Sequence, residues 1–252
     1  MITFSEAQIY AWVTPIFWPF LRVLALFTAA PIFSSRALPV RARVALAFLI
    51  AVACQPGLPV MPIVGFSDAG AFEAVAQQVV VGLTIGFSIR VVFASMELAG
   101  EVVGFQMGLN FAAFFDPSMN SQSSALGRFF GQMAALLFVV LNGHVLVLVA
   151  VCRSFEAFPV GGSSLGPLNA LQLYKLGSDL FASGLWIALP MVAMLMFVNL
   201  ALGVISRVAP QMNIFAVGFP ITLAVGLIGV ALTLPLFEGP FVALMERTLS
   251  LF

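Results

Sequence analysis

Charge is what this chain has least of. Of its 252 residues only 8% are Asp, Glu, Lys or Arg, where ordinary soluble domains carry about 25%. That scarcity excludes a solvated globular surface, and the formal net charge of +0 leaves no basic face for nucleic acid. Histidine is reduced to His144, and the two cysteines, Cys54 and Cys152, are distant from each other, so a dedicated zinc site has too few ligands. Two cysteines at the ends of apolar runs also make no disulfide framework and read as buried thiols. No G-x-x-x-x-G-K-[ST] loop is present, nor a G-x-G-x-x-G run opening a helix, which excludes nucleotide hydrolysis by the P-loop route. Ser121 or Ser124 with His144 gives a serine–histidine pair that nothing positions. The expectation is a protein that is not an enzyme, with no catalytic residue, metal or cofactor.

What fills the chain instead is apolar sequence, 62% of the residues, with a mean hydropathy of +1.14. The apolar runs are continuous and far longer than the roughly ten residues of a membrane-barrel strand, so the fold class is an all-α polytopic membrane protein. Windows of about 20 apolar residues place hydrophobic helices near 9–33, 44–64, 74–96, 126–152, 180–206 and 214–237, with 97–115 as a further helical piece. The N-terminus lacks the basic stretch of a cleavable signal and is expected to stay as the first span. Nothing separates a soluble domain, so 1–252 reads as a single membrane domain.

Several spans are irregular. Pro15, Pro19 and Arg22 lie in the first, the second frays from Gln55 to Pro62, Pro190 lies in the fifth, and the sixth is interrupted by Pro220 and ends at Pro235. Proline frees backbone carbonyls that neighbouring helices or water must satisfy, which argues for a packed assembly of kinked and broken segments. Arg36, Arg41 and Arg43 follow the first span and put that loop in the cytoplasm; Arg207 agrees, whereas Arg153 and Lys175 do not. Asn142-Gly143-His144 reads as a polar contact between helices.

One stretch, Glu97 to Arg128, breaks the rules of a lipid-facing segment. Gly100, Gly104 and Gly108 recur every fourth residue, a ridge along which another backbone can approach; Gly82 and Gly86 make a similar ridge in the preceding span. Glu97 and Glu101 adjoin it. An acid at the bilayer centre costs about 2.5 to 3.5 kcal/mol, so these two sit at an interface, in water, or against Arg22, Arg90, Arg128 or another subunit. Phe111, Phe114 and Phe115 then run into Asp116-Pro117, which stops a helix because the residue before proline leaves the αR region. A polar loop, Ser118 to Ser124, follows. Two readings stand: a packed helix end with a surface loop, or a hydrophobic constriction backed by a plug, with Met107 and Met119 as a compliant seal. The turn at Arg207, Pro210 and Gln211 joins the last two spans, either as a capped hairpin or as a docking point for a neighbouring subunit.

Four motifs occur in a telling order: FWPFLRVLALFTAAPIFSSRALPVRAR from Phe17 to Arg43, GEVVGFQMGLNFAAFFDP from Gly100, FVVLNGH from Phe138, and NLALGVISRVAPQMNIFAVGFPITLAVG from Asn199 to Gly226. Read whole, the chain closely resembles the FliR/SctT family of type III secretion export-gate proteins. The resemblance implies a gate subunit of the bacterial inner membrane, at the flagellar basal body, in a hetero-oligomer with FliP-like and FliQ-like membrane subunits. FlhB-like and FlhA-like proteins are implied as further partners and unfolded flagellar proteins as cargo. Residues from about 1 to 175 would be a FliP-like part and 176–252 a FliQ-like part with a helical hairpin. By matching motif, the plug role falls to Gly104, Met107, Gly108, Phe111, Phe114, Phe115, Asp116, Pro117, Met119 and the loop to Ser124. The alternative is a secondary transporter or channel for a small solute or ion, with broken helices and acids forming its binding site.

Overall fold

The computed structural model describes residues 6–35, 37–62, 70–109, 124–161, 166, 174–211 and 213–252, and among them there is no strand. The helices that can be given bounds among the described residues are α1 (Glu6–Ala29), α2 (Val40–Cys54), α3 (Ala71–Gln106), α4 (Ala125–Val140), α5 (Gly143–Ala157), α6 (Tyr174–Val208), α7 (Ile214–Thr233) and α8 (Glu238–Leu249). Short 3-10 turns at Gln55–Gly57 and Leu234–Phe237 extend α2 and join α7 to α8. Among the described residues 5 helices are long and apolar enough to cross a membrane, or up to 6 if α4 and α5 count as one span. The all-α polytopic class is therefore what the chain adopts.

The elements differ from the sequence expectation in three places. The third span and the start of the next piece are one helix: α3 runs for 36 residues without a break, about 54 Å at 1.5 Å per residue. The fourth span is two helices, because Asn142 takes a left-handed φ of 55°. Asparagine tolerates that conformation better than most residues, and Gly143 follows it directly. Pro15, Pro19, Pro190 and Pro220 lie inside helices without ending them; Pro56 and Pro235 instead sit at the start of the 3-10 turns, where no donor is needed.

Contacts gather the chain into two units. The first holds Met1–Val91, Asn142–Leu176 and Met245–Phe252. Here α1 packs on α2 and on the first part of α3. The Gly82–Gly86 ridge is what lets α3 close on α1: a Cβ at Gly82 would overlap the Arg22 carbonyl, and one at Gly86 would stand 2.8 Å from the Leu26 carbonyl. Trp18, Leu26, Phe27, Ile85 and Ile89 form the dry core around this seam.

Arg22 is fully buried in that core. Its Nε donates to Gln78 Oε1 at 2.9 Å, Nη1 to Ser154 Oγ at 2.8 Å and Nη2 to the Phe158 carbonyl at 2.9 Å. The guanidinium carbon stands 3.5 Å over the centroid of the Phe155 ring. Gln78 then donates to Gln77, and Gln77 donates to the Pro159 carbonyl at 2.9 Å while accepting from Gly161 N–H. A buried cation is tolerable only when its donors are satisfied, and here neutral oxygens and a ring face do so.

The second unit holds Val92–Leu141 and Gly177–Leu244. In it α3 beyond Val91 packs against α4 and α6, and Met107, just past its end, packs against α7. Its aromatic core joins Phe93 to Phe138 and Phe241, at 5.8 and 6.1 Å between centroids, and Phe130 to Phe237 at 4.9 Å. Glycines again set the close approaches: Gly184 of α6 meets Ser95 and Leu98 of α3, and Gly229 of α7 meets Met194 of α6.

Candidate functional site

The stretch singled out in the sequence leaves α3 through a built stop. Leu109 N–H donates to the Gly104 carbonyl and Gly108 N–H to the Phe105 carbonyl, each at 3.1 Å. With Gly108 at φ 79°, this is the Schellman arrangement, whose left-handed residue is glycine because a Cβ would strain it. Gly108 therefore terminates the helix; the sequence reading had put it on the glycine ridge with Gly100 and Gly104. Met107, the last residue before the stop, is fully buried. It lies on Gly226 of α7, where a Cβ would stand 2.5 Å from the methionine Cγ and Sδ. Thr222, one turn earlier on α7, reaches the Met107 carbonyl at a long 3.4 Å.

The chain returns at Ser124, and that end is held too. Ser124 Oγ accepts from Gly127 N–H at 3.0 Å and caps α4. Glu101, on α3, accepts from Ser124 N–H at 2.6 Å. Negative charge at a helix N-terminus satisfies an orphan donor and complements the helix dipole. Glu97 lies one turn before Glu101, exposed, with its stem over Gly131 of α4; a Cβ there would stand 2.9 Å from Glu97 Oε1. Gly127 lies beneath the Glu101 carboxylate in the same way, and Gly100 fits so closely on Leu126 that a Cβ would stand 2.5 Å from its carbonyl. Two carboxylates at i, i+4 on α3 thus cross two glycines at i, i+4 on α4.

Of the residues named from the sequence, the structure puts Glu97, Gly100 and Glu101 on the seam with α4 and Gly104, Met107 and Gly108 at the helix stop, with Arg128 exposed on the first turn of α4. Arg22 and Arg90 belong to the first unit, where Arg22 is engaged as described and Arg90 is exposed. Phe111, Phe114, Phe115, Asp116, Pro117 and Met119 lie outside the described residues. Arg207, Pro210 and Gln211 are exposed at the turn between α6 and α7, and Asn213 caps α7 through Ala216 N–H. Cys54 and Cys152 are free and half-buried, with their side chains close to each other. Sequence reasoning missed Gly127 and Gly131, although they repeat the four-residue spacing it used for α3. It also missed Ser124 as a cap, a role that a serine just before an apolar run signals.

Residues 13–248 match a family described as bacterial export proteins, family 1. The chain belongs to that family. Among its relatives are three called flagellar biosynthetic protein FliR. The one of Escherichia coli (strain K12) is 41% identical over 241 residues, covering 96% of this chain and 92% of that protein. The one of Bacillus subtilis (strain 168) is 33% identical, covering 83% and 82%. The one of Caulobacter vibrioides is 30% identical, covering 85% and 86%. The matched range takes in most of both units and the glycine–phenylalanine stretch. Membership of this family and several membrane-length helices make it a membrane protein of bacterial export.

Proposed function

We propose that this chain is a non-enzymatic subunit of the flagellar type III protein export gate in the bacterial inner membrane. The observation that supports it is the anchoring of residues 107 and 124, on either side of the glycine–phenylalanine stretch. Met107 is fixed under Gly226 and Ser124 is fixed by Glu101, so the intervening segment begins and ends on packed helices of one unit. A constriction needs such rigid ends if its apolar residues are to keep a narrow path closed. In this reading Phe111, Phe114, Phe115 and Met119 form the seal, and Asp116-Pro117 starts the polar plug. FliP-like and FliQ-like subunits complete the channel wall, residues 1–175 and 176–252 corresponding to the two kinds of partner. FlhB-like and FlhA-like proteins engage the assembly, and unfolded flagellar proteins pass through it. The energy for transport comes from elsewhere, since the sequence carries no P-loop.

Shortening Phe111 and Phe114 to alanine tests the seal. In cells producing the assembled complex, the double variant is expected to raise ion leakage across the inner membrane while subunit stoichiometry stays the same. Unchanged conductance in a normally assembled complex sinks the assignment.

A further inference from the structure

In the first unit, α1 and α2 do not close fully on each other. Phe20 and Phe48 meet edge to face at 6.5 Å between centroids, and a cavity opens on either side of that pair. One, of about 510 Å³, is lined by Phe20, Val40, Arg41, Val44, Ala45 and Phe48. The other, of about 310 Å³, continues along Phe20, Phe17, Ile16, Val13 and Trp12. From Arg41 to Phe48 on α2 and from Phe20 to Trp12 on α1, the groove follows the helices for about 20 Å at 1.5 Å per residue. That exceeds the depth of one leaflet, about 15 Å of a 30 Å core.

The groove has a charged mouth. The first turn of α2 contains no acid. Arg43 is occupied there, its Nη2 donating to the Ser35 and Leu38 carbonyls at 3.4 Å. Arg41 is exposed, lines the larger cavity, and among the described residues has neither an acid nor a carbonyl as partner. A guanidinium at the end of an apolar span lies at headgroup depth, where anionic lipid is its natural counter-ion. An apolar protein helix laid in the groove would bury that charge without compensation.

We propose that the groove between α1 and α2 binds an anionic phospholipid, with its phosphate on Arg41 and one acyl chain against Phe20, Phe48 and the Trp12 face. The site requires only that these two helices lie in a membrane, so it stands apart from the export-gate reading.

The test uses the full chain, purified with whatever subunits accompany it and placed in nanodiscs. Brominated phosphatidylglycerol and brominated phosphatidylcholine are compared as quenchers of tryptophan fluorescence, and the Trp12 signal is the difference between wild type and Trp12→Phe. Phosphatidylglycerol is expected to quench Trp12 with about a fivefold advantage, the effect of one arginine near an anionic surface. Arg41→Gln is expected to abolish the advantage, Arg41→Lys to restore it, and millimolar inorganic phosphate to leave it intact. Equal quenching by the two lipids overturns the proposal, as does a preference that survives Arg41→Gln. Complete protection of Trp12 from both lipids also overturns it, by showing that another protein helix fills the groove.

Discussion

Removing the Arg22 guanidinium strands Gln78 Oε1, Ser154 Oγ and the Phe158 carbonyl in a dry core. Each unsatisfied buried group costs about 1–3 kcal/mol, so Arg22→Met is expected to lower the melting temperature of the detergent-solubilised protein sharply, a loss on the order of 2–5 kcal/mol. A melt indistinguishable from wild type would show that these bonds carry no stability. Gly108→Ala places a Cβ on a residue with φ 79° and should cost about 1 kcal/mol by strain. Gly226→Val drives a side chain into Met107 and should cost more, about 1–3 kcal/mol; the same melts rank the two. The neighbouring thiols of Cys54 and Cys152 make a chemical prediction. Mild oxidation should join them within one chain, seen as loss of both alkylation sites, and Cys54→Ser should abolish the product. Arg22 was legible as an anomaly in an apolar span, but its acceptors were not: they lie 56, 132 and 136 residues away. The arginine–glutamate pairing considered from sequence left out neutral partners, which a guanidinium with five donors readily uses.

The seam between α3 and α4 is the element whose behaviour is most open to experiment. Glu101→Ala removes the acceptor of Ser124 N–H and should loosen the first turn of α4 by about 0.5–2 kcal/mol. Faster amide exchange at residues 124–127, with the α6 amides unchanged, is the expected signature; uniform protection would mean that Ser124 Oγ alone holds this end. Helix existence was readable almost everywhere, because runs of apolar residues this long have one satisfactory backbone in lipid. Helix limits were less so. Glycine spacing alone does not distinguish a packing ridge from a stop, and Gly108 changed role because the chain turns there through a left-handed residue. The break at Asn142 shows the same limit from the other side, since hydropathy passes through Leu141-Asn142-Gly143 with little interruption.

At the scale of the molecule, much of α6 and α7 is exposed apolar surface: Trp186, Phe197, Leu200, Leu227, Ile228 and Leu232 all face outward. That surface suits lipid or partner helices, and the exposed turn at Arg207, Pro210 and Gln211 lies between these two helices. A cysteine at Gln211 is expected to crosslink to a neighbouring subunit in the assembled complex. No adduct from any position along the turn would leave it a capped hairpin held by Asn213. Sequence by itself determined the membrane class, the helical fold and the family, since those depend on long apolar runs and on motifs contiguous in the chain. Local chemistry also settled where some helices end. Only the tertiary structure decided which polar group meets which: Glu101 with Ser124, Arg22 with Gln78 and Ser154, Met107 with Gly226. The physical reason is register. Periodicity states which face of a helix is small or polar, whereas the partner on a distant helix is chosen by how far the two slide and rotate before their backbones touch.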